Sequence, residues 1–170
     1  VIPALAFTLA DAERANDEWG ANCGPAALAA VLGKPLGDVR PHLVGFALKG
    51  YTNPTMMFDA LRSLDIQHKR NKPSTSRGCP WPKFGLAHIQ WEGPWTKPGV
   101  PMRARYRYTH WVGACARNPS DVGIFDINAM NSGGWVSLDD WSATIVPYIL
   151  KNVPRATGGW HITHSVEIIR

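Results

Sequence analysis

The sequence predicts an α+β fold, with helices in residues 8–65 and an antiparallel β-sheet in residues 66–170, all within one domain. Three observations predict it. Apolar residues recur at helical spacing, with cap residues and prolines at the starts, mainly in the first part of the chain. From Ile66 onward the pattern turns to short runs of β-branched and aromatic residues separated by Pro, Gly, Asn and Ser. Helices that precede strands, rather than alternating with them, belong to the α+β class. At 170 residues the chain buries a sufficient core without staples, and it carries no internal repeat.

Residues 8–14 read as a short turn or helix, capped by Thr8 or Asp11. A helix follows from Cys23 to Leu32, apolar on every side and therefore buried, with Pro25 in its first turn and Gly33 at its end. Residues 35–48 suggest a helix that Pro41 breaks or restarts. Residues 54–64 form a clearer one, since Met57, Leu61 and Leu64 share a face and Pro54 stands at the start; Met56 and Met57 read as core packing. Strands are expected at 66–70 and 84–91, separated by a Pro/Ser/Gly loop that holds Cys79. After a proline-rich loop at 93–101, residues 106–116 and 122–128 read as a hairpin about the turn Arg117-Asn118-Pro119-Ser120-Asp121. Gly133-Gly134 leads to a helix near 137–150, where Ser137 and Asp140 resemble a capping box, and residues 160–169 read as the last strand.

Eight Trp and fourteen Pro point to ordered loops around a compact core. The net charge of +5 and pI near 9.3 favour an anionic partner or surface only weakly. The dense basic run Arg103, Arg105 and Arg107 reads as a solvated strand face. Cys23, Cys79 and Cys115 make an odd number with no C-x-x-C spacing, which disfavours a disulfide framework or zinc ribbon and suits a reducing, cytoplasmic compartment. His161 and His164 lie three apart on a strand, hence on opposite faces, and His42, His68 and His88 show no ligand spacing, so no metal and no cofactor are assigned. The apolar opening from Val1 to Phe7 lacks a basic flank and is too short to span a bilayer. It reads as a packed terminal segment; a leader ahead of Val1 stays open, because the chain lacks an initiator Met.

Cys23 is the residue around which a chemistry can be built. A helix start carries unpartnered N–H groups and roughly half a positive charge, which stabilises a thiolate, the reactive form of sulfur. A lone buried cysteine is inert without a base. Alternation puts Tyr106, Tyr108, His110 and Val112 on one strand face and Arg103, Arg105 and Arg107 on the other. With a hairpin centred on Asn118, Asp126 falls opposite His110, at a reach where a carboxylate holds an imidazole. Together the three supply a nucleophile, a base and its orienter.

Four segments carry a family resemblance: Asn22-Cys23-Gly24-Pro25-Ala26-Ala27-Leu28, Thr109-His110-Trp111-Val112-Gly113, Phe125-Asp126-Ile127-Asn128, and Gly134-Trp135-Val136-Ser137-Leu138-Asp139-Asp140-Trp141. They resemble the papain-like cysteine peptidases, nearest to the bacterial branch that cuts bacteriocin leaders, over residues 19–141. The resemblance implies a nucleophile helix packed on an antiparallel sheet that carries His110 and Asp126, with a cleft between them. It implies attack of Cys23 on a carbonyl and an acyl-enzyme, with Asn16, Trp19, Asn22 and Asn128 near the oxyanion and substrate. One departure stands out: the family usually places a glutamine six residues before the cysteine, where this chain has Asp17. Asn16 offers an amide if the loop shifts by one, Asn22 is a weaker substitute, and the Cys23 N–H remains.

The expected function is that of a thiol hydrolase, a cysteine peptidase or isopeptidase acting on a peptide or protein substrate. The alternatives are a glutamine deamidase, transglutaminase or acyltransferase with the same triad, and a non-catalytic papain-like binding or inhibitory module. In the last of these, Arg103 to Arg107 would grip nucleic acid, with Tyr106 and Tyr108 stacking on bases, or an acidic protein. The cleft walls are expected from the loops at 93–101 and 128–134.

Overall fold

The computed structural model describes residues 2–74 and 78–170; Val1 and residues 75–77, the middle of the loop expected before Pro82, lie outside the described residues. The first helix, α1 (Leu9–Trp19), runs further than the expected turn, because Ala12 and Ala15 bury one face of it. Thr8 and Asp11 act as one capping box: the Asp11 N–H donates to the Thr8 hydroxyl at 3.2 Å and the Thr8 N–H donates to the Asp11 carboxylate at 2.9 Å. Gly20, at φ 74°, ends the helix in the left-handed conformation that favours glycine.

Helix α2 (Cys23–Leu32) lies where expected, capped by Asn22 and closed by Gly33 at φ 61°. Proline breaks the next segment into α3 (Leu36–Val39), a 3₁₀ turn (Arg40–His42) and α4 (Phe46–Lys49). Helix α5 (Pro54–Ser63) starts at its proline, with Asn53 accepting from the Met56 N–H at 2.8 Å, and buries Met57 and Leu61 completely.

Six strands form one antiparallel sheet: β1 (His68–Asn71), β2 (Gly85–Trp91), β3 (Thr109–Asn118), β4 (Asp121–Phe125), β5 (Trp135–Ser137) and β6 (Trp160–Ile168). Their order is β1-β6-β2-β3-β4-β5, so the last strand enters between the first two. Strand β2, paired on both sides, is buried along its whole length. One face of the sheet packs on α2 and α5 through Leu86, Trp111, Cys115 and Val166. The other face, with Ala87, Ile89, Val112 and Ile124, is covered by Trp141 and Val146. The sheet is therefore sandwiched rather than covered on one side. Gly113 admits the closest approach of α2: a Cβ there would stand 2.9 Å from Val31 Cγ2.

Three local expectations are corrected. Arg103 and Arg105 do not extend a strand face but sit in α6 (Met102–Arg105), a single turn of good helix formers that begins after Pro101, and β3 starts only at Thr109. Strand β4 stops at Phe125, and Asp126 caps a 3₁₀ helix (Ile127–Ser132). Strand β5 was not expected; three residues are too few to display alternation, and its pairing with β4 defines it. The following helix begins as expected at Ser137, which caps α7 (Leu138–Asp140), then widens into a π-helical turn (Trp141–Ile145) before α8 (Val146–Leu150). Among the described residues no helix is long and apolar enough to cross a membrane.

Candidate active site

Cys23 is the first residue of α2 and is half-buried. Most of the donors at this helix end have partners: the Gly24 N–H donates to Asn22 Oδ1 at 3.4 Å, Pro25 has none, and the Ala26 N–H donates to the Asn22 carbonyl at 3.1 Å. Among the described residues the Cys23 N–H has no acceptor. Asn22 is also tied outward, its Nδ2 donating to the Gly50 carbonyl at 2.8 Å. Gly24 has to be glycine, because a Cβ would collide with the Thr52 side chain.

His110 is the second residue of β3, and its Nε2 hydrogen-bonds Asp126 Oδ2 at 2.8 Å. A carboxylate only accepts, so Nε2 carries the proton and Nδ1 is left for the thiol. Asp126 is completely buried and accepts from four donors: His110 Nε2, Trp141 Nε1 at 2.8 Å, and the backbone and side-chain N–H groups of Asn128, each at 2.9 Å. Four bonds fill the acceptor capacity of a carboxylate, which is what allows a charge to sit there. Trp91 stacks on the His110 ring at 5.9 Å between centroids, and Trp141 lies against Trp91 at 6.1 Å.

The partnership of His110 with Asp126 is as expected, but the register differs. Gly113 pairs with Phe125, so Asp126 stands opposite Val112 and reaches His110 along the diagonal. The turn centres on Pro119 and Ser120, with Asn118 paired to Asp121, rather than on Asn118, and the irregularity between Ala116 and Asn118 takes back only one position of that offset.

Each titration follows from these contacts. Burial opposes the Cys23 thiolate, but the charge and hydrogen bond of His110 and the Trp111 backbone outweigh it, and the thiol is held below its usual 9.0. Burial likewise disfavours the His110 imidazolium, yet Asp126 and Cys23 raise its pKa well above 6.5. Asp126 is lowered from 3.8 because His110, Trp141 and the Asn128 N–H together overcome desolvation. Each partner's charge thus favours the charged form of the other.

The other thiols differ. Burial raises Cys79, whose sulfur faces the carbonyls of Asn71 at 3.7 Å and Thr163 at 3.5 Å, and Cys115 is buried in the core. No cluster of metal-ligating residues occurs among the described residues.

The remaining expected site residues fall into different places. Asn16 and Asp17 are exposed on the last turn of α1, so no loop is free to shift register there. Trp19 packs edge-on against Phe46 and under the Arg40 guanidinium. Asn22 serves as a cap, and Asn128 braces Asp126. A cleft of about 1020 Å³ adjoins the triad through His110 and Asn128, while Cys23 is not part of its wall. Its walls come from residues 51–55, 106–110 and α8 rather than from the loop at 93–101, because that loop turns Trp95 inward against Tyr108 and Trp91. Trp91 and Trp141 were given no role by the sequence; a high Trp count near an acid is the only signal, and it names no partner. No family model and no curated protein matches the chain.

Proposed function

We propose that the protein is a papain-like thiol hydrolase, a cysteine peptidase or isopeptidase. The observation that carries this reading is the unbroken line of contact from a four-donor buried Asp126, through His110, to a helix-start Cys23 whose titration the imidazole lowers. A module used only for binding has no need of a charged acid held against a histidine at a thiol.

In this mechanism the Cys23 thiolate attacks an amide carbonyl and forms the S–C bond. The Cys23 N–H, without an acceptor among the described residues and at the positive end of α2, is the donor for the oxygen that becomes negative. Imidazolium His110 then gives its Nδ1 proton to the departing amine as the C–N bond breaks, leaving a thioester. Water, deprotonated by the now neutral His110, attacks the thioester, and the acid product and thiolate separate. Asp126 keeps the ring in the tautomer that presents Nδ1 to sulfur throughout.

Iodoacetamide titration followed by peptide mass mapping tests the premise. Cys23 should react first at pH 6–7, and His110→Ala should erase its lead over Cys79 and Cys115. Equal labelling of the three thiols in the unmodified protein would end this reading. Mass analysis of candidate substrates then tells the reaction class: chain cleavage supports a peptidase, and a gain of about one dalton per site assigns deamidation instead.

A further inference from the structure

The large cleft beside His110 has a biased lining. All four tyrosines of the chain, Tyr51, Tyr106, Tyr108 and Tyr148, are in its wall, and none of the thirteen aspartates and glutamates is. Tyr51, Tyr106 and Tyr148 are exposed at its mouth on three separate elements, the segment before α5, the segment after α6, and α8. Rigid phenols of this kind hold extended chains with little loss of side-chain freedom. Among the described residues the cationic or titratable basic groups in the wall are Arg107, His88, His164 and His110, and Arg107 is exposed and makes no ion pair there.

The inner wall is a histidine pair. His88 and His164 face each other across β2 and β6 with ring centroids 5.8 Å apart, and the nitrogens Nδ1 of both meet the Thr163 hydroxyl, at 2.6 and 3.1 Å. The Thr163 hydroxyl donates to the His88 carbonyl at 3.2 Å, so His88 Nδ1 is the donor to Thr163 and its Nε2 is left over. The groups around the pair are the Trp111 ring beside His88, Phe58 of α5 beside His164, and the charges of His110 and Arg70; the described residues supply no carboxylate to the pair. Burial first, then the neighbouring ring and His110, hold His88 down to about 3, and burial with Arg70 lowers His164, so both rings are neutral near pH 7 with a lone pair on Nε2. Of the two, the less buried His164 is the ring that can take up a proton when a carboxylate arrives.

We infer that the cleft takes an extended acidic peptide segment, gripped by the tyrosine rim, with one substrate carboxylate paired to Arg107 and reaching the Nε2 edge of His164, which takes up a proton as the carboxylate binds. This rests on the thiol-hydrolase reading, since it names the substrate class of the same site, but it is tested by binding alone. A space of about 1020 Å³ holds several residues of chain rather than a single side chain.

The test uses full-length protein with Cys23→Ala, which stops turnover, and fluorescein-labelled ten-residue peptide pools with Glu at every third position or Gln at the same positions. Anisotropy at low salt should show the Glu pool binding about tenfold tighter than the Gln pool, with the advantage shrinking as salt rises. Arg107→Glu, an exposed change that leaves the core alone, should erase or reverse that preference, and His164→Phe should reduce it. Equal affinity for the two pools, no binding of either at 1 mM, or tighter binding of a poly(U) single strand than of the Glu pool overturns the proposal. Cys23 labelling in the unmodified protein is read separately, so a failed preference with a reactive Cys23 condemns the acidic substrate and not the thiol chemistry.

Discussion

Asp126 is wholly buried and accepts four hydrogen bonds, whereas Cys23, at the other end of the same line of contacts, is half-buried at a helix start and its own N–H has no acceptor among the described residues. On the acid side the fold determines the geometry several times over. On the sulfur side it leaves a donor and a surface open. On the proposed thiol-hydrolase reading, the contrast teaches that orientation of the base is built in by folding, while the surroundings of the sulfur are left open for a substrate. It also explains the aromatic weight of the sequence: Trp91 and Trp141 dry and brace the imidazole and the carboxylate.

The comparison breaks most sharply at the group that joins the two sides. His110→Ala should lower amide hydrolysis by about 10⁴-fold or more, with Cys23 alkylation then rising with pH only as an ordinary thiol ionises, read by stopped-time alkylation from pH 5 to 9. A flat alkylation profile retained in the variant would mean that the helix end alone activates the sulfur.

Acid should damage the buried side first. His88 is held at about 3 against 6.5 for a free histidine, so the unfolded chain binds the extra proton between those values. Its contribution is intact above 6.5 and is lost as pH falls toward 3, with a slope of about 1.4 kcal/mol per pH unit. Asp126 adds loss in the same direction below 3.8, while His110, raised above 6.5, contributes fully below that value and loses its share as pH rises. Urea unfolding at several pH values should show that slope in the unmodified protein and a flatter curve in His88→Gln.

Trp141→Phe keeps a ring against Trp91 and removes one of the four donors to Asp126. It should cost about 1–3 kcal/mol of stability and raise the pH below which Cys23 loses its reactive lead. Asn22→Ala is the mildest change, on the open side: loss of the cap and of the tie to Gly50 should cost about 1 kcal/mol, measured by thermal melting, and slow alkylation of Cys23 by only a few-fold.

What could be read in advance follows physical range. The Cys23 helix was legible because its cap, its proline and its closing glycine act within a few residues of one another. His110 and Asp126 were legible as residue types on neighbouring strands, but their direct opposition was not, since the turn centres on Pro119 and Ser120 rather than on Asn118 and β4 ends before the acid. Arg103 and Arg105 were misplaced because an alternating pattern of four residues fits a strand and a helical turn equally, and Pro101 decides the matter. The roles of Trp91 and Trp141 depend on contacts between distant segments, to which periodicity is blind. The α1 helix was cut short at residue 14 because Asn16 and Asp17 look like a loop, whereas burial of Ala15 carries the helix past them.

The wide turn at Trp141–Ile145 precedes Pro147, which lacks the N–H that a regular helix would need there. An ordinary winding advances about 100° per residue, so deleting a single residue between Ser142 and Ile145 would tighten the coil and rotate the indole of Trp141 about a quarter-turn off the carboxylate. The segment thus tolerates changes of side chain more readily than changes of length, and descendants of this chain that keep the acid should keep the residue count from Gly134 to Pro147 as well.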